Sequence, residues 1–258
     1  TPFIDYGVPY WGKPPMSFWF AAVSIKVFGV NEFAVRFPAL LLLVLLSWFV
    51  FQSLKRLQYS TYHSLLVNLF MWTSGMFYFM AGGVLPDPYL LFGTTVSMLS
   101  FWIGYNQQKK SYAYLFFIGV AFSVLSKGPV GIVITVLPLF LWVLITKQYK
   151  NTEKVKSFPW VSGTILSICL FMPWFIISEL KTPGYLKYFI LDEHIYKYLV
   201  PGWHGDRFGN PHPETRGTIF LFWFAGAFPW SVIPFFLLLY KDFRKKIKDI
   251  VRSSKEWI

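Results

Sequence analysis

The side chains able to do chemistry sit in a few short stretches of the chain. They are Trp11-Gly12-Lys13-Pro14-Pro15, Leu85-Pro86-Asp87-Pro88, Ser126-Lys127-Gly128-Pro129, Asp192-Glu193-His194, and residues 203–208 with His212 just beyond. Prolines fix their own φ and bias the preceding residue towards extended geometry, so Lys13 is presented stiffly. A stiffly held ammonium suits a phosphate at the level of lipid headgroups, and the plainer role for it is an interfacial lysine that snorkels. Lys127 occupies a turn too tight for a merely solvated charge, and Arg207 lies in an aromatic and cationic stretch suited to a sugar or phosphate. Lys13, Lys127 and Arg207 are therefore the candidate phosphate ligands. Asp87 and Glu193 are the candidate catalytic carboxylates, able to take a proton from a hydroxyl. The plainer reading of Asp87 is an anion favouring a helix N-terminus, and Glu193 forms an i, i+4 pair with Lys197 that would account for both. His194, His204 and His212 are candidate substrate contacts. They lack the His-x3-His spacing of a chelate, so a metal would need tertiary convergence, and none is assigned. No phosphate-cradling glycine loop and no nucleophilic serine motif accompanies them.

The elements that must position these groups follow from composition. The 258 residues are 55% hydrophobic, 22% aromatic and 14% charged, with a mean hydropathy of +0.48, too apolar for a soluble surface. A net charge of +12 could suggest nucleic acid, but the cations lie in short loops between apolar runs rather than on one soluble face. A lone Cys169 inside an apolar run excludes a disulfide framework and a thiolate metal site. The class is an all-α polytopic membrane protein. An interfacial helix is expected at 16–28, after a loop over 1–15 and with Asn31 capping the next helix. About seven spans follow, at 32–54, 62–83, 89–105, 112–125, 130–145, 160–177 and 218–240. The organisation is 1–31 as extracytoplasmic loop and interfacial helix, 32–178 as transmembrane helices, and 179–217 as extracytoplasmic loop with a short helix. A last transmembrane helix at 218–240 and a cytoplasmic basic tail at 241–258 complete it. Lys55, Arg56, Lys109, Lys110, the lysines of 147–156 and the cations of 241–255 fall on one side, which the excess of positive charge assigns to the cytoplasm. Lys13, Asp87, Lys127 and the long loop then converge on the other face. Within that loop, Lys187, Leu191, His194 and Tyr198 share one face of a helix expected over 185–199. The opening TPFIDYG reads as the inside of a longer protein.

Taken together, GVPYWGKPPMSFWF, FGVNEFAVRFPALLL, LPDPYLLF, LSKGPVGI and PGYLKYFILDEHIYKYLVPGW resemble, in order and over nearly the whole chain, a known family. It is that of the bacterial membrane glycosyltransferases related to the aminoarabinose transferase of lipid A and to protein O-mannosyltransferases. The resemblance implies the C-type glycosyltransferase fold, with juxtamembrane helices and an extracytoplasmic site in the bacterial inner membrane. It implies transfer of a sugar, with inversion, from a polyprenyl phosphate donor to a lipid, glycan or protein acceptor. Lys13 would contact the carrier phosphate, Asp87 would be the acid of the second extracytoplasmic loop, and Glu193 with His194 would be the Asp-Glu-His element. The family's acidic motif, some tens of residues before its Lys-Pro-Pro turn, is not in this sequence, so an internal fragment, inactive alone, is expected. Gly12 stands where the aminoarabinose branch has an acid next to the lysine that helps bind metal. Two cations can hold a phosphate monoester, so no cofactor is required, although a divalent metal is allowed. The alternatives are a polyprenyl-linked lipid transporter or flippase and a non-catalytic assembly subunit. A transporter would carry its ionisable residues near the bilayer midplane, not at span ends.

Overall fold

A computed structural model describes residues 3–5, 7–200, 203, 205, 215, 217–245 and 249. The first residues are not plain loop: strands β1 (Phe3–Asp5) and β2 (Val8–Pro9) form a small antiparallel hairpin that turns at Gly7. Every other described element is helical. Helix α1 (Met16–Phe28) begins directly after Pro14 and Pro15 and stops at Gly29. Helix α2 (Glu32–Arg56) starts where expected, because Asn31 accepts a 2.8 Å bond from the Ala34 amide.

The second expected span is broken into α3 (Thr61–Trp72) and α4 (Gly75–Gly82), bent 66° from one another. Helices α5 (Asp87–Asn106), α6 (Lys110–Lys127) and α7 (Pro129–Ile145) follow with short connections. A 3-10 turn (Gln148–Lys150) and α8 (Thr152–Ser157) lead into α9 (Trp160–Lys181). By length and composition, α2 and the stretch Thr152–Lys181 can cross a membrane, and α3 with α4 makes a third if it is one broken span. Large apolar side chains such as Val133, Leu137, Phe140 and Leu144 on α7 are exposed, as befits a surface meeting hydrocarbon rather than water.

The last expected span is also broken, into α12 (Thr218–Gly226) and α13 (Val232–Leu239), after the short helices α10 (Tyr185–Lys187) and α11 (Lys197–Leu199) have intervened. Pro229 lacks an amide hydrogen and cannot continue α12. The two breaks dock on each other. The Gly75 amide donates to the Phe228 carbonyl at 2.9 Å, Trp230 Nε1 donates to Thr73 Oγ1 at 2.8 Å, and the Phe70 and Trp230 rings lie 4.3 Å apart. Backbone groups freed by one irregularity are thus satisfied by the other, which is what tolerates broken helices at membrane depth.

The centre of the molecule is the antiparallel pair α5 and α6. Small residues let the two backbones approach: a Cβ on Gly93 would lie 2.5 Å from Ser123 Oγ, and one on Gly119 would lie 2.5 Å from Ser97 Oγ. Ser97 Oγ then donates to the Phe116 carbonyl at 3.0 Å. Around this pair an aromatic core forms from Phe101, Tyr105, Phe116, Phe117, Phe158 and Phe175, all buried.

Candidate functional site

An antiparallel α5 and α6 bring the first residue of one and the last of the other to the same end. Asp87 thus opens α5 beside Lys127, which closes α6, each at the helix end whose dipole favours its charge. Lys127 Nζ donates to Asp87 Oδ1 at 2.7 Å, with both side chains about one third exposed. The next residue, Gly128, must be glycine on two counts. Its φ is +71°, and a Cβ there would fall 2.5 Å from the Phe189 ring.

Phe189 belongs to the segment after α9. Glu179, near the end of α9, accepts the Gly184 amide at 2.9 Å and the Leu186 amide at 2.7 Å, and so fixes where that segment starts. Tyr185 is buried against Trp11, Trp174 and Phe189, and burial pushes its phenol up. Between α10 and α11 the backbone winds as a π-helix over Tyr188–Tyr196. This differs from the regular helix expected there. The wider turn shifts the register, so Lys187 is exposed while His194 is turned inward and half-buried. His194 Nδ1 lies 2.6 Å from the carbonyl of Phe189, five residues back, and Nε2 lies 3.3 Å from the Lys127 carbonyl. The face shared by Lys187 and His194 does not form.

The same winding places Glu193, 7% exposed, under the N-terminal turn. Lys13 Nζ donates to Glu193 Oε1 at 2.8 Å, and Lys197 Nζ reaches Oε2 at 3.4 Å. The i, i+4 pair expected from sequence is present, but the stronger partner is 180 residues away. Two ion pairs, Lys13 with Glu193 and Lys127 with Asp87, are therefore linked through the adjacent His194. Beside them a cavity of about 550 Å³ is walled by α1, α2 and the turn before α5. Lys13 is the charged residue among its lining, with Tyr10, Ser17, Leu85 and Tyr89 near it and apolar side chains beyond. Such a cavity can take a hydrocarbon chain with an anionic end.

Arg207, His204 and His212 lie outside the described residues. Among the described residues no three His, Cys, Asp or Glu side chains gather as metal donors. Both Glu193 oxygens face lysines and both His194 nitrogens face carbonyls, so this pair does not fit a cation. Sequence reasoning overlooked Glu179, Tyr10 and Tyr89. For Tyr89 a signal existed in its place just after the Pro-Asp-Pro turn, whereas Glu179 looked like any charge at a span end.

Residues 1–189 match the family model described as dolichyl-phosphate-mannose-protein mannosyltransferase. The undecaprenyl phosphate-alpha-4-amino-4-deoxy-L-arabinose arabinosyl transferase of Edwardsiella ictaluri (strain 93-146) is 27% identical over 197 residues, covering 74% of this chain and 35% of that protein. The protein of the same description from Enterobacter sp. (strain 638) is 26% identical over 240 residues, covering 90% and 40%. The chain thus spans less than half the length of these relatives. The crystal structure of ArnT from Cupriavidus metallidurans bound to undecaprenyl phosphate superposes with a TM-score of 0.72 at 21% identity, over 89% of this chain and 41% of that one. Its apo state gives 0.74 at 18%, over 87% and 39%. The fold is the C-type glycosyltransferase fold of those structures.

Proposed function

We propose that this chain, which belongs to the dolichyl-phosphate-mannose-protein mannosyltransferase family, carries the donor-phosphate site of a membrane glycosyltransferase. The donor is a sugar on a polyprenyl phosphate, and the acceptor a hydroxyl of a lipid, glycan or protein on the extracytoplasmic side of the inner membrane. The observation that carries this reading is Lys13: a part-buried ammonium, held by Glu193, at the wall of a largely apolar cavity. An anionic head and an isoprenoid tail are the two things such a cavity can recognise together. The relatives' descriptions, which name undecaprenyl phosphate, support the same donor class.

In the reaction the acceptor hydroxyl attacks the anomeric carbon, the bond to the phosphate oxygen breaks, and configuration inverts. Lys13 and Lys127 stabilise the departing phosphate monoester, with Arg207 as a third ligand. The two candidate carboxylates divide. Glu193 has both oxygens on lysines and is buried, so it positions Lys13. Asp87 has Oδ1 on Lys127 and its side chain is one third exposed, which leaves it the better placed to take the hydroxyl proton. The ionisable groups sit at helix ends rather than at mid-span, which favours an enzyme over a transporter.

The test uses the chain in proteoliposomes with undecaprenyl phosphate, the uncharged prenol and a labelled undecaprenyl phosphate sugar. Binding is expected for the phosphate and not for the prenol, and Lys13→Ala should weaken it at least tenfold. Where transfer is measured, the same substitution should lower it by about 10²-fold. Equal binding of phosphate and prenol, or unchanged phosphate binding in Lys13→Ala, would overturn the reading.

A further inference from the structure

The far end of the bundle holds a second cavity that plays no part in this chemistry. It encloses about 220 Å³ between the last turns of α5, the start of α6, the outer half of α7 and the 148–160 connection. Its wall is apolar and aromatic, with Tyr105, Leu139, Phe140, Val143, Tyr149 and Trp160 facing it. The hydroxyl of Tyr105 is buried and has no hydrogen-bond partner among the described residues. Over the Tyr105 ring, at 5.7 Å, lies the ammonium of half-buried Lys154, which also donates to Asn106 Oδ1 at 3.2 Å. Exposed Lys147, Lys150 and Lys156 stand on the same connection, against the single acid Glu153.

We infer that this groove is a binding site for an anionic phospholipid, its acyl chain against the aromatic wall and its phosphate between Lys154 and Lys150. Two features on the page select this occupant. The groove is too apolar for a polar metabolite, and its rim carries a surplus of positive charge that complements a phosphodiester. Lys154 is aimed in advance, because its contacts with Tyr105 and Asn106 hold the stem at the groove's edge instead of leaving it free in solvent. A generic excess of loop lysines would produce a diffuse attraction instead, with no dependence on the cavity.

Native mass spectrometry of the full chain in mild detergent, with phosphatidylglycerol and phosphatidylcholine of identical acyl chains, separates these cases. Phosphatidylglycerol should be retained preferentially. The preference should fall about fivefold for each lysine removed in Lys154→Gln and Lys150→Gln. Val143→Trp, which fills the groove, should reduce retention of the anionic lipid while leaving every lysine in place. Lys241→Gln with Lys245→Gln removes the same charge from the segment after α13, which does not line the groove, and should change little. Equal retention of the two lipids overturns the site. So does an equal loss in the Lys241 and Lys245 control, or no effect of Val143→Trp in protein that keeps its helical circular dichroism.

Discussion

Glu193 shows how one side chain's role changes once its neighbours are known. In sequence it is half of a local pair with Lys197, and in the structure it anchors Lys13 from the other end of the chain. Glu193→Gln keeps the shape but leaves two ammonium groups around a neutral amide. Breaking a buried pair costs more than breaking a surface one, and the one-third exposure of Lys13 softens it, so about 1–3 kcal/mol of stability should be lost. Denaturation in mixed micelles would measure this. Donor binding should weaken as well, because Lys13 is no longer aimed, whereas a purely structural role would leave affinity unchanged in the folded fraction. Part of the clustering was legible, since prolines and glycines marked Lys13, Asp87 and Lys127 as stiffly placed, and the structure gives each a charged partner. Their partners were not, because a contact between residues 13 and 193 leaves no local trace.

Among the elements, those with a strong apolar run and a clear terminus signal were legible: α2 with Asn31, α5, which starts at Asp87 within the Pro-Asp-Pro stretch rather than after it, and α6 and α7 on either side of Gly128. The π-helix was not. Hydrophobic spacing in 185–199 fits a period of 3.6 well enough, and the wider winding is fixed by what it packs against, namely Phe189 on Gly128 and the Glu193 pairing. The bends in the second and last spans each had a local signal, Thr73-Ser74-Gly75 in one and Pro229 in the other, but the apolar runs on either side outweighed it. The pairing of α5 with α6 makes the clearest test at this scale. Gly119→Ala adds a methyl 2.5 Å from Ser97 Oγ and 2.9 Å from the Gly93 carbonyl, where backbone itself must move. Overpacking of this kind should cost about 1–3 kcal/mol. It should also separate Asp87 from Lys127, so a spin-label pair at the ends of α5 and α6 is expected to show a longer distance with Gly119→Ala than without it.

For the molecule as a whole, the ion pairs and the lysine-rimmed groove lie at opposite ends of the bundle, which makes sidedness measurable. In a Cys169→Ser background, a cysteine at position 84 should react with an impermeant thiol reagent in intact cells, and one at position 150 should not. The reverse pattern would place the phosphate site on the cytoplasmic side. The docked helix breaks carry a further implication, for how the protein comes into being. Thr73 is made 157 residues before Trp230, the side chain that closes on it. Until that late segment emerges from the ribosome, the Gly75 amide has no Phe228 carbonyl to meet, and the kink would face lipid with its polarity uncovered. The bend between α3 and α4 gains its partners only once α12 and α13 have been made, so its packing does not simply follow translation.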